Sequence, residues 1–295
     1  MNILVTGASG FIGRNLLALF HEKNINVVAL TRNKNNFYDK RIKVVSSLDS
    51  IANDYRIDAI VNLAGAAIDK RWTPSYKNTL LESRINVTSA IYSLVARLDH
   101  KPMTIISASA VGYYGSSGDV IIKENAKPNP EFTHDLCRKW EKEALKIKEF
   151  GCKVAIIRLG VVLGKNGGML KKVLPPFKLG LGGKIGSGKQ YISWVHMHDV
   201  LQAIVFLLES SDDNLFYNLT SPKPVTNSEW TSILASAVNR PALLPMHKCL
   251  VGLLFGEMGE TLLLKGQRVI PNALTNAGFE FKYNTVDKAI YDILN

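Results

Sequence analysis

The sequence has little of what marks secreted, metal-binding or membrane-spanning proteins. Its three cysteines, among 295 residues, are too few and too scattered for a disulfide framework or a cysteine metal site. No apolar run is long enough to span a membrane, and the N-terminal strand leads into glycines without the pattern of a signal peptide. We therefore expect a cytoplasmic protein with no bound metal ion and no membrane partner.

The sequence also lacks a concentrated nucleic-acid-binding segment, although it is basic. Lys and Arg number 36 against 25 Asp and Glu, a formal net charge of +11. Acidic residues are interspersed among the basic ones, as in 138–143, and no basic stretch contains interleaved aromatic residues. The excess charge therefore indicates an anionic small molecule, such as a phosphorylated substrate or cofactor, and not nucleic acid.

Apolar runs alternate with helical patterns through the first 160 residues. The runs typical of buried strands are 2–6, 26–31, 42–46, 59–63, 104–107 and 153–159. The helical stretches are 13–23, 75–98 and 132–150. This alternation predicts an α/β protein with a doubly wound parallel sheet, a Rossmann fold.

The pattern changes after residue 160. The segment 160–188 is so rich in glycine that it predicts long loops with one short helix near 170–177. Further helices are predicted near 198–209, 228–239 and 286–294. We predict a dinucleotide-binding domain over 1–160, to which 195–215 returns, and a smaller substrate-binding lobe over 161–295.

Three glycines follow the first predicted strand at intervals of three residues. Gly7 would permit a tight turn, Gly10 would let the backbone approach a pyrophosphate, and Gly13 would let helix and strand pack closely. The helix N-terminus would offer free N–H groups to the phosphates. The sequence therefore predicts a dinucleotide-binding loop, with cofactor contacts from Gly7, Ser9, Gly10, Phe11, Ile12 and Gly13.

The end of the second strand lacks the acidic residue that would hold the ribose hydroxyls of NAD. Thr31 and Arg32 stand there instead, followed by Asn33 and Lys34. A guanidinium group can pair with the 2′-phosphate of NADP. We therefore predict NADP as the cofactor, with NADPH favoured over NADH and with Thr31 and Arg32 in contact with it.

The loop 6–13 and the segment 61–65, Val-Asn-Leu-Ala-Gly, resemble the extended short-chain dehydrogenases/reductases, the NAD-dependent epimerase/dehydratase family. Other segments are similar to the YfcH-like epimerase subfamily: 70–72, 83–84, 112–115, 140–141, 175–183, 193–196, 266–271 and 277–279. The resemblance covers nearly the whole chain. It implies a sheet of about seven strands, NAD(P) at their carboxyl ends, and a small C-terminal domain from about residue 245.

The resemblance also implies further cofactor contacts. These come from the segment after the fourth strand, from the long helix that follows it, and from the chain leaving the sixth strand. The residues are Leu63, Ala64, Gly65, Arg84, Gly160 and Val162. For Arg84 a surface ion pair is the alternative. A homodimer is compatible with the family.

The family's Tyr-x-x-x-Lys motif is missing. Counting back from Arg158 puts Thr133 in the place of the tyrosine and Cys137 in the place of the lysine. A threonine hydroxyl is a poor acid near neutral pH, and a cysteine carries no positive charge. Ser109 ends the fifth strand and Tyr114 follows in the next loop, so we take Ser109, Tyr114 and Thr133 as catalytic candidates and assign Cys137 to the cofactor wall. Tyr113 and His134 are alternatives for moving a proton.

Two functions remain open from the sequence. The first is an NADP-dependent oxidoreductase or epimerase that acts on a sugar nucleotide or a similar polar carbonyl or hydroxyl compound. The second is a non-catalytic NADPH-binding sensor or regulator, which the missing tyrosine and lysine favour. Turnover of bound NADPH with carbonyl substrates would distinguish them.

Overall fold

The computed structural model describes residues 1–31 and 41–295 of the chain. Arg32, Asn33 and Lys34 lie outside the described residues. The contact predicted between Arg32 and the cofactor therefore stays a prediction from the sequence.

A sheet of seven parallel strands forms the centre of the protein. Its strands are β1 (Asn2–Thr6), β2 (Asn26–Leu30), β3 (Ile42–Val45), β4 (Ala59–Asn62), β5 (Thr104–Ala110), β7 (Lys153–Leu159) and β11 (Phe216–Leu219). Their order is β11-β7-β5-β4-β1-β2-β3. The chain runs outward from β1 through β2 to β3 and then returns to β4 on the other side of β1. This change of direction leaves a crevice at the carboxyl ends of β1 and β4. The predicted doubly wound fold is confirmed.

Helices cover both faces of this sheet because alternate strand residues point to opposite faces. The helices are α1 (Phe11–Glu22), α2 (Pro74–Arg97), α3 (Phe132–Leu145), α4 (Gly168–Lys178), α5 (Met197–Glu209), α6 (Asn227–Ala237), α7 (Lys248–Leu262), α8 (Asn272–Asn276) and α9 (Val286–Leu294). Phe20 of α1 and Ala203 of α5 pack on the face that carries Ile3. Ile91 of α2 and Ala144 of α3 pack on the face that carries Leu4.

The smaller lobe has a core of its own, built from α4, α6 and α9. Leu170, Trp230 and Ile290 from these helices pack around Trp194, which is fully buried. Short strand pairs connect the lobe to the sheet. They are β8 (Val161–Leu163) with β10 (Trp194–His196), β9 (Tyr191–Ile192) with β12 (Val225–Thr226), and β6 (Ile121–Ile122) with β13 (Arg268–Val269).

Several element boundaries differ from the sequence prediction. Strand β5 continues to Ala110, and the helix predicted over 132–150 is α-helical only to Leu145, then a 3-10 helix over Lys146–Phe150. The glycine-rich segment holds β8 as well as α4. Strand β11 was not predicted because Asn218 interrupts its short apolar run. Helix α7 was not predicted because it contains three glycines and bends at Gly256, where φ is +59°.

The division of the chain at residue 160 stays a prediction. Helix α5 and strand β11 pack with the central sheet, while α6 and α9 pack in the smaller lobe. Among the described residues, no helix combines the length and the apolar character needed to cross a membrane.

Candidate functional site

The glycine loop between β1 and α1 is shaped by close backbone contacts. Gly7 has φ of +67°, and a Cβ atom there would lie 2.6 Å from the carbonyl oxygen of Leu63. A Cβ atom on Gly13 would lie 2.8 Å from Cα of Ala8 and would overlap the carbonyl oxygen of Gly7. Gly7 and Gly13 therefore have backbone positions that a side chain would disrupt. The exposed Gly10 donates its N–H to the carbonyl of Gly7 at 2.9 Å.

The N-terminus of α1 has no side-chain cap and no acidic residue of its own. Gly10 is the N-cap residue and makes no side-chain cap, and the first turn contains no acidic residue. The first N–H groups and the positive end of the helix dipole are therefore available to an anion. Their position at the carboxyl end of β1, where the strand order reverses, fits a dinucleotide pyrophosphate.

The side chain of Phe11 contacts a second glycine-rich loop, between β8 and α4. A Cβ atom on Gly167 would overlap the Phe11 ring, and Cβ atoms on Gly164 and Gly168 would each lie 3.0 Å from it. Ile12, the next residue, packs on the core between the sheet and α1. The loop 164–168 therefore covers the predicted phosphate loop from the side of the smaller lobe.

Buried hydrogen bonds tie together the carboxyl ends of three strands. The hydroxyl of Thr6 donates to Oδ1 of Asn62 at 2.6 Å, and Nδ2 of Asn62 donates to the hydroxyls of Thr88 at 3.0 Å and Ser107 at 3.3 Å. These residues lie on β1, β4, α2 and β5. The network fixes the segment 63–65, predicted to contact the cofactor, relative to the glycine loop.

Arg84 lies between the end of β4 and helix α3. Its guanidinium donates to the carbonyl oxygens of Leu80 at 2.9 Å and Ala66 at 3.2 Å, and it stacks 5.1 Å from the ring centre of Trp140. A Cβ atom on Gly65 would lie 3.0 Å from Cζ of Arg84. A side chain at position 65 would therefore require the guanidinium to shift by a few tenths of an ångström.

The charge of Arg84 has no carboxylate partner in the described part of the chain. The surface ion pair considered from the sequence is therefore absent there. Burial lowers the pKa of Arg84, which means that the cation is partly desolvated without a compensating charge. Cys137 is its electrostatic neighbour, and burial, with the nearby Glu141, raises the pKa of that thiol to about 11. Cys137 is therefore a neutral group at physiological pH.

Ser109 belongs to a buried ionic network between β5, α3 and β7. Its hydroxyl donates to Oε1 of Glu141 at 2.6 Å. Arg158 donates to both oxygens of Glu141, from Nε at 2.9 Å and from Nη2 at 2.8 Å. Burial alone would lower the pKa of Arg158, but the hydrogen bonds and charge of Glu141 raise it. The guanidinium of Arg158 is thus held in its charged form.

Tyr114 extends the same network. Its hydroxyl donates to Oδ1 of Asn218 at 2.7 Å and accepts from Nη1 of Arg158 at 2.9 Å. The side chain is fully buried, and this burial raises the pKa of Tyr114 to about 12 although Arg158 opposes the change. The hydroxyl is therefore poorly matched to proton transfer near neutral pH.

Thr133 lies at the start of α3, beneath Gly112. A Cβ atom on Gly112 would lie 3.1 Å from Cβ of Thr133. The Thr133 side chain is buried, and its hydroxyl has no hydrogen-bond partner among the described residues. Unlike Ser109 and Tyr114, Thr133 therefore has a hydroxyl that is free to bond a ligand.

The remaining predicted cofactor contacts lie at strand ends. The backbone N–H of Thr31 donates to the carbonyl of Val45 at 3.0 Å. A Cβ atom on Gly160 would lie 3.0 Å from Cγ2 of Thr220, and Val162 packs half-buried against the main core. The segment 160–162 thus runs from the central sheet into the smaller lobe. The described residues hold no cluster of three or more His, Cys, Asp or Glu that could bind a metal ion.

Helix α7 covers the segment that follows β4. Arg71 donates to the carbonyl of Leu253 at 3.4 Å, and Lys77 forms an ion pair with Glu257 at 2.5 Å. Met258 packs in one cluster with Trp72, Leu80 and Leu136. Helix α7 therefore borders the crevice between this segment and α3.

Sequence reasoning missed the buried pair of Glu141 and Arg158. The signal was present, because Arg158 is a charge inside an apolar strand and such a charge requires a buried partner. Reasoning also missed the contact between Phe11 and the loop 164–168, and the position of α7. Neither has a local sequence signal.

Comparisons with known proteins agree with this geometry. A family model described as the NAD dependent epimerase/dehydratase family matches residues 3–219, and one described as a domain of unknown function, DUF1731, matches 248–293. The chain is 38% identical over 303 residues to the chloroplastic epimerase family protein SDR39U1 homolog of Arabidopsis thaliana, and the match covers all of this chain and 87% of that one. It is 35% identical to an epimerase family protein of Staphylococcus aureus strain N315, with 99% and 98% covered.

Solved structures show the same likeness. The structure of human epimerase family protein SDR39U1, isoform 2, with NADPH matches with a TM-score of 0.91 at 29% identity, and 99% of each chain is covered. The nucleoside-diphosphate sugar epimerase from Corynebacterium glutamicum matches with a TM-score of 0.81 at 31% identity, with 100% of this chain and 58% of that chain covered.

Proposed function

Because the chain belongs to the NAD-dependent epimerase/dehydratase family, we propose that it is an NADP-dependent oxidoreductase or epimerase acting on a sugar nucleotide or a similar polar carbonyl or hydroxyl compound. The observation that carries the proposal is the glycine cradle at the uncapped N-terminus of α1. Side chains would disrupt the backbone at Gly7 and Gly13, and the first turn of α1 contains no acidic residue. This arrangement suits a pyrophosphate group.

The preference for NADPH has two supports. Arg32 stands where an acidic residue would favour NAD. The human relative with the same overall fold was solved with NADPH.

The nicotinamide group would supply hydride exchange when bound, and the protein would bind, orient and protonate the reacting compound. We assign the pyrophosphate to the backbone of Gly7, Gly10 and Gly13. We assign the reacting oxygen to Ser109 and Thr133. Tyr114 is the third candidate for moving a proton, but its raised pKa makes it the least suited of the three.

Arg84 would supply a positive charge close to Cys137, which stands where related enzymes carry lysine. The guanidinium is partly desolvated and lacks a carboxylate partner in the described residues, so a ligand oxygen or phosphate would complete its interactions. Cys137 is neutral and buried, which suits a wall of the cofactor site and not a nucleophile.

The sugar-nucleotide assignment is supported by the Corynebacterium glutamicum structure, whose name gives nucleoside-diphosphate sugar epimerase. A UDP-glucuronic acid 4-epimerase from Bacillus cereus has the same fold, with a TM-score of 0.77 at 17% identity, and this likeness bears on the fold alone. A cytoplasmic location and a homodimer are parts of the same proposal, tested by cell fractionation and by light scattering.

The proposal is tested by titrating the full chain with NADPH and NADH, followed by a panel of sugar nucleotides and simple carbonyl compounds with NADPH. We expect NADPH to bind more tightly than NADH and at least one panel member to turn over. The variant Gly10→Val should lose NADPH binding while its circular dichroism spectrum stays unchanged. The valine side chain would occupy the space in which the loop backbone would contact the pyrophosphate. Unchanged affinity in this variant would overturn the assignment of the loop.

A non-catalytic NADPH-binding sensor is the second candidate. It is favoured by Thr133 and Cys137 in the positions of the usual tyrosine and lysine, and by the Ser109 hydroxyl, which already bonds Glu141. Tight NADPH binding with no turnover of any panel member would favour the sensor over the enzyme.

A further inference from the structure

Exposed leucines lie on two connecting segments of the smaller lobe and on helix α7, which follows the second segment; together they are here called the leucine face. Its members are Leu179, Leu181, Leu243, Leu244, Leu253 and Leu254, with exposed fractions between 51% and 79%. The first four lie in the two connecting segments, and the last two lie on α7. Exposed apolar residues grouped on neighbouring segments mark an interaction surface more often than single exposed leucines do.

Backbone contacts hold the two connecting segments side by side. The N–H of Leu244 donates to the carbonyl of Gly182 at 3.1 Å, and the N–H of Met246 donates to the carbonyl of Lys184 at 2.9 Å. Nε of Arg240 donates to the carbonyl of Lys178 at 3.2 Å. Helix α7 begins at Lys248, directly after the second segment.

The surroundings of the leucine face are basic. The segment 161–198 contains six lysines and no acidic residue, and the segment 230–256 contains Arg240 and Lys248; Glu257 and Glu260 follow it on α7. The two segments hold eight basic residues of a chain whose net charge is +11. The positive charge is therefore concentrated around Leu179, Leu181, Leu243 and Leu244.

An open groove of about 740 Å³ adjoins the leucine face. Lys184, Arg240 and Leu243 line it on one side, and hydroxyl-bearing residues of α6, such as Ser232 and Ser236, line it on the other. Cations and hydroxyls in one groove can bind a phosphate headgroup, and the leucines beside it can enter an apolar layer.

We propose that the leucine face docks the protein reversibly on an anionic lipid bilayer. Leucines with a lysine border are typical of surfaces that lie at the boundary of headgroups and acyl chains, where lysines reach back to lipid phosphates. Protein interfaces are instead enriched in aromatic residues and depleted in lysine, whereas the segment 178–189 carries three lysines and no Phe, Trp or Tyr. The proposal requires no spanning helix and is independent of the proposed catalytic function.

This proposal departs from the sequence-based expectation of no membrane partner. That expectation rested on the lack of a long apolar run, which bears on spanning segments and not on a surface assembled from separate segments. The carbonyl of Leu253 accepts from Arg71 at 3.4 Å, so the α7 part of the leucine face adjoins the segment that follows β4.

The test is sedimentation of the full chain with vesicles of phosphatidylcholine, with and without phosphatidylglycerol, at physiological ionic strength. We expect binding only to the anionic vesicles and weaker binding as salt increases. The double variant Lys178→Glu with Lys184→Glu should bind at least about 25-fold more weakly, at about fivefold for each charge. Leu253→Ser with Leu254→Ser should weaken binding about tenfold or more for each leucine that inserts.

Matched controls lie on other surfaces. Met103→Ser changes a residue that is 71% exposed, and Lys139→Glu changes an exposed lysine of α3. Both should bind vesicles like the unaltered protein, and circular dichroism should be the same for all variants. No binding to anionic vesicles, or equal weakening by the controls, would overturn the proposal. The proposal would also be overturned if the protein did not bind vesicles but formed a dimer that the two Leu→Ser changes dissociate. The leucine face would then serve self-association.

Discussion

Replacing Arg84 by methionine removes the charge that we place beside the cofactor while keeping an unbranched apolar side chain next to Trp140. The guanidinium has two backbone carbonyl partners and no carboxylate in the described residues, so its charge is not balanced by the protein there. If a phosphate or ribose oxygen of NADPH completes its interactions, the loss appears in cofactor affinity more than in stability.

The magnitude follows from the contacts. A hydrogen bond to a charged group contributes about 1.5–3 kcal/mol, which corresponds to about a 10- to 150-fold increase in the dissociation constant for NADPH. The carbonyls of Leu80 and Ala66 lose their side-chain donors in the same variant. An accompanying loss of about 1–2 kcal/mol in the free energy of unfolding is therefore expected.

A second substitution separates lost charge from lost packing. Cys137 of α3 interacts electrostatically with Arg84 of α2, which lies between the end of β4 and α3. Adding Cys137→Lys to Arg84→Met restores a cation in this region, so NADPH affinity should recover at least partly. Cys137→Lys alone puts a second cation beside Arg84 and should not improve binding.

Fluorescence titration with NADPH measures all three variants, and Arg84→Lys serves as the charge-conserving control. Arg84→Met with unchanged NADPH affinity would refute the placement of this charge at the cofactor. Reduced affinity that Cys137→Lys does not restore, together with a large loss of stability, would show that Arg84 acts by packing alone.

Three further predictions concern the cofactor, catalysis and stability. Arg32→Asp should narrow or reverse the preference for NADPH over NADH in a fluorescence titration, and equal affinities in the unaltered protein would contradict it. If a turnover substrate is found, Ser109→Ala should lower kcat by about 10- to 1000-fold with little change in NADPH affinity; full activity would move the role to Thr133. Burial lowers the pKa of His196 from 6.5 to about 4, so below pH 6.5 the unfolded chain binds a proton that the folded chain does not. Stability should therefore fall by about 3 kcal/mol as the pH falls from 6.5 to 4, measured by urea unfolding. His196→Asn keeps an N-cap side chain for α5 and should remove this part of the pH dependence; an unaltered pH profile would contradict the assignment.

The parts of the fold that the sequence predicts are those with strong local signals. Continuous apolar runs predict β1, β4 and β7 because strands covered on both faces contain few polar residues. The glycines of the first loop are predictable because their spacing reflects the tight turn and the close backbone approach of a single loop, which is complete within eight residues. Strand β11 lacks such a signal, since Asn218 faces Tyr114 through a contact that spans 104 residues.

The site itself divides along the same line. The places of Thr133 and Cys137 in the family's motif can be counted along the chain from Arg158. The hydrogen bonding of neighbouring residues, in contrast, depends on contacts between distant elements. Ser109 is a catalytic candidate by its place at the end of β5, yet its hydroxyl is held by Glu141 of α3, 32 residues away. Sequence reasoning proposes candidate groups, and only packing shows that the Ser109 hydroxyl is already hydrogen-bonded whereas the Thr133 hydroxyl has no partner among the described residues.

The altered catalytic motif and the charge network are physically related. A lysine at position 137 would lie close to Arg84, because Cys137 and Arg84 interact electrostatically. Two desolvated cations side by side would repel each other in a region of low dielectric. The neutral thiol at Cys137 therefore suits a protein in which Arg84, from the opposite wall, already supplies the positive charge. Because a guanidinium stays charged where a lysine can lose its proton on burial, this exchange would hold a fixed charge near the cofactor at every physiological pH. A protein with this arrangement would bind the cofactor with little dependence on pH, and with Thr133 and Cys137 it would lack the tyrosine and lysine that the family's motif uses to move a proton.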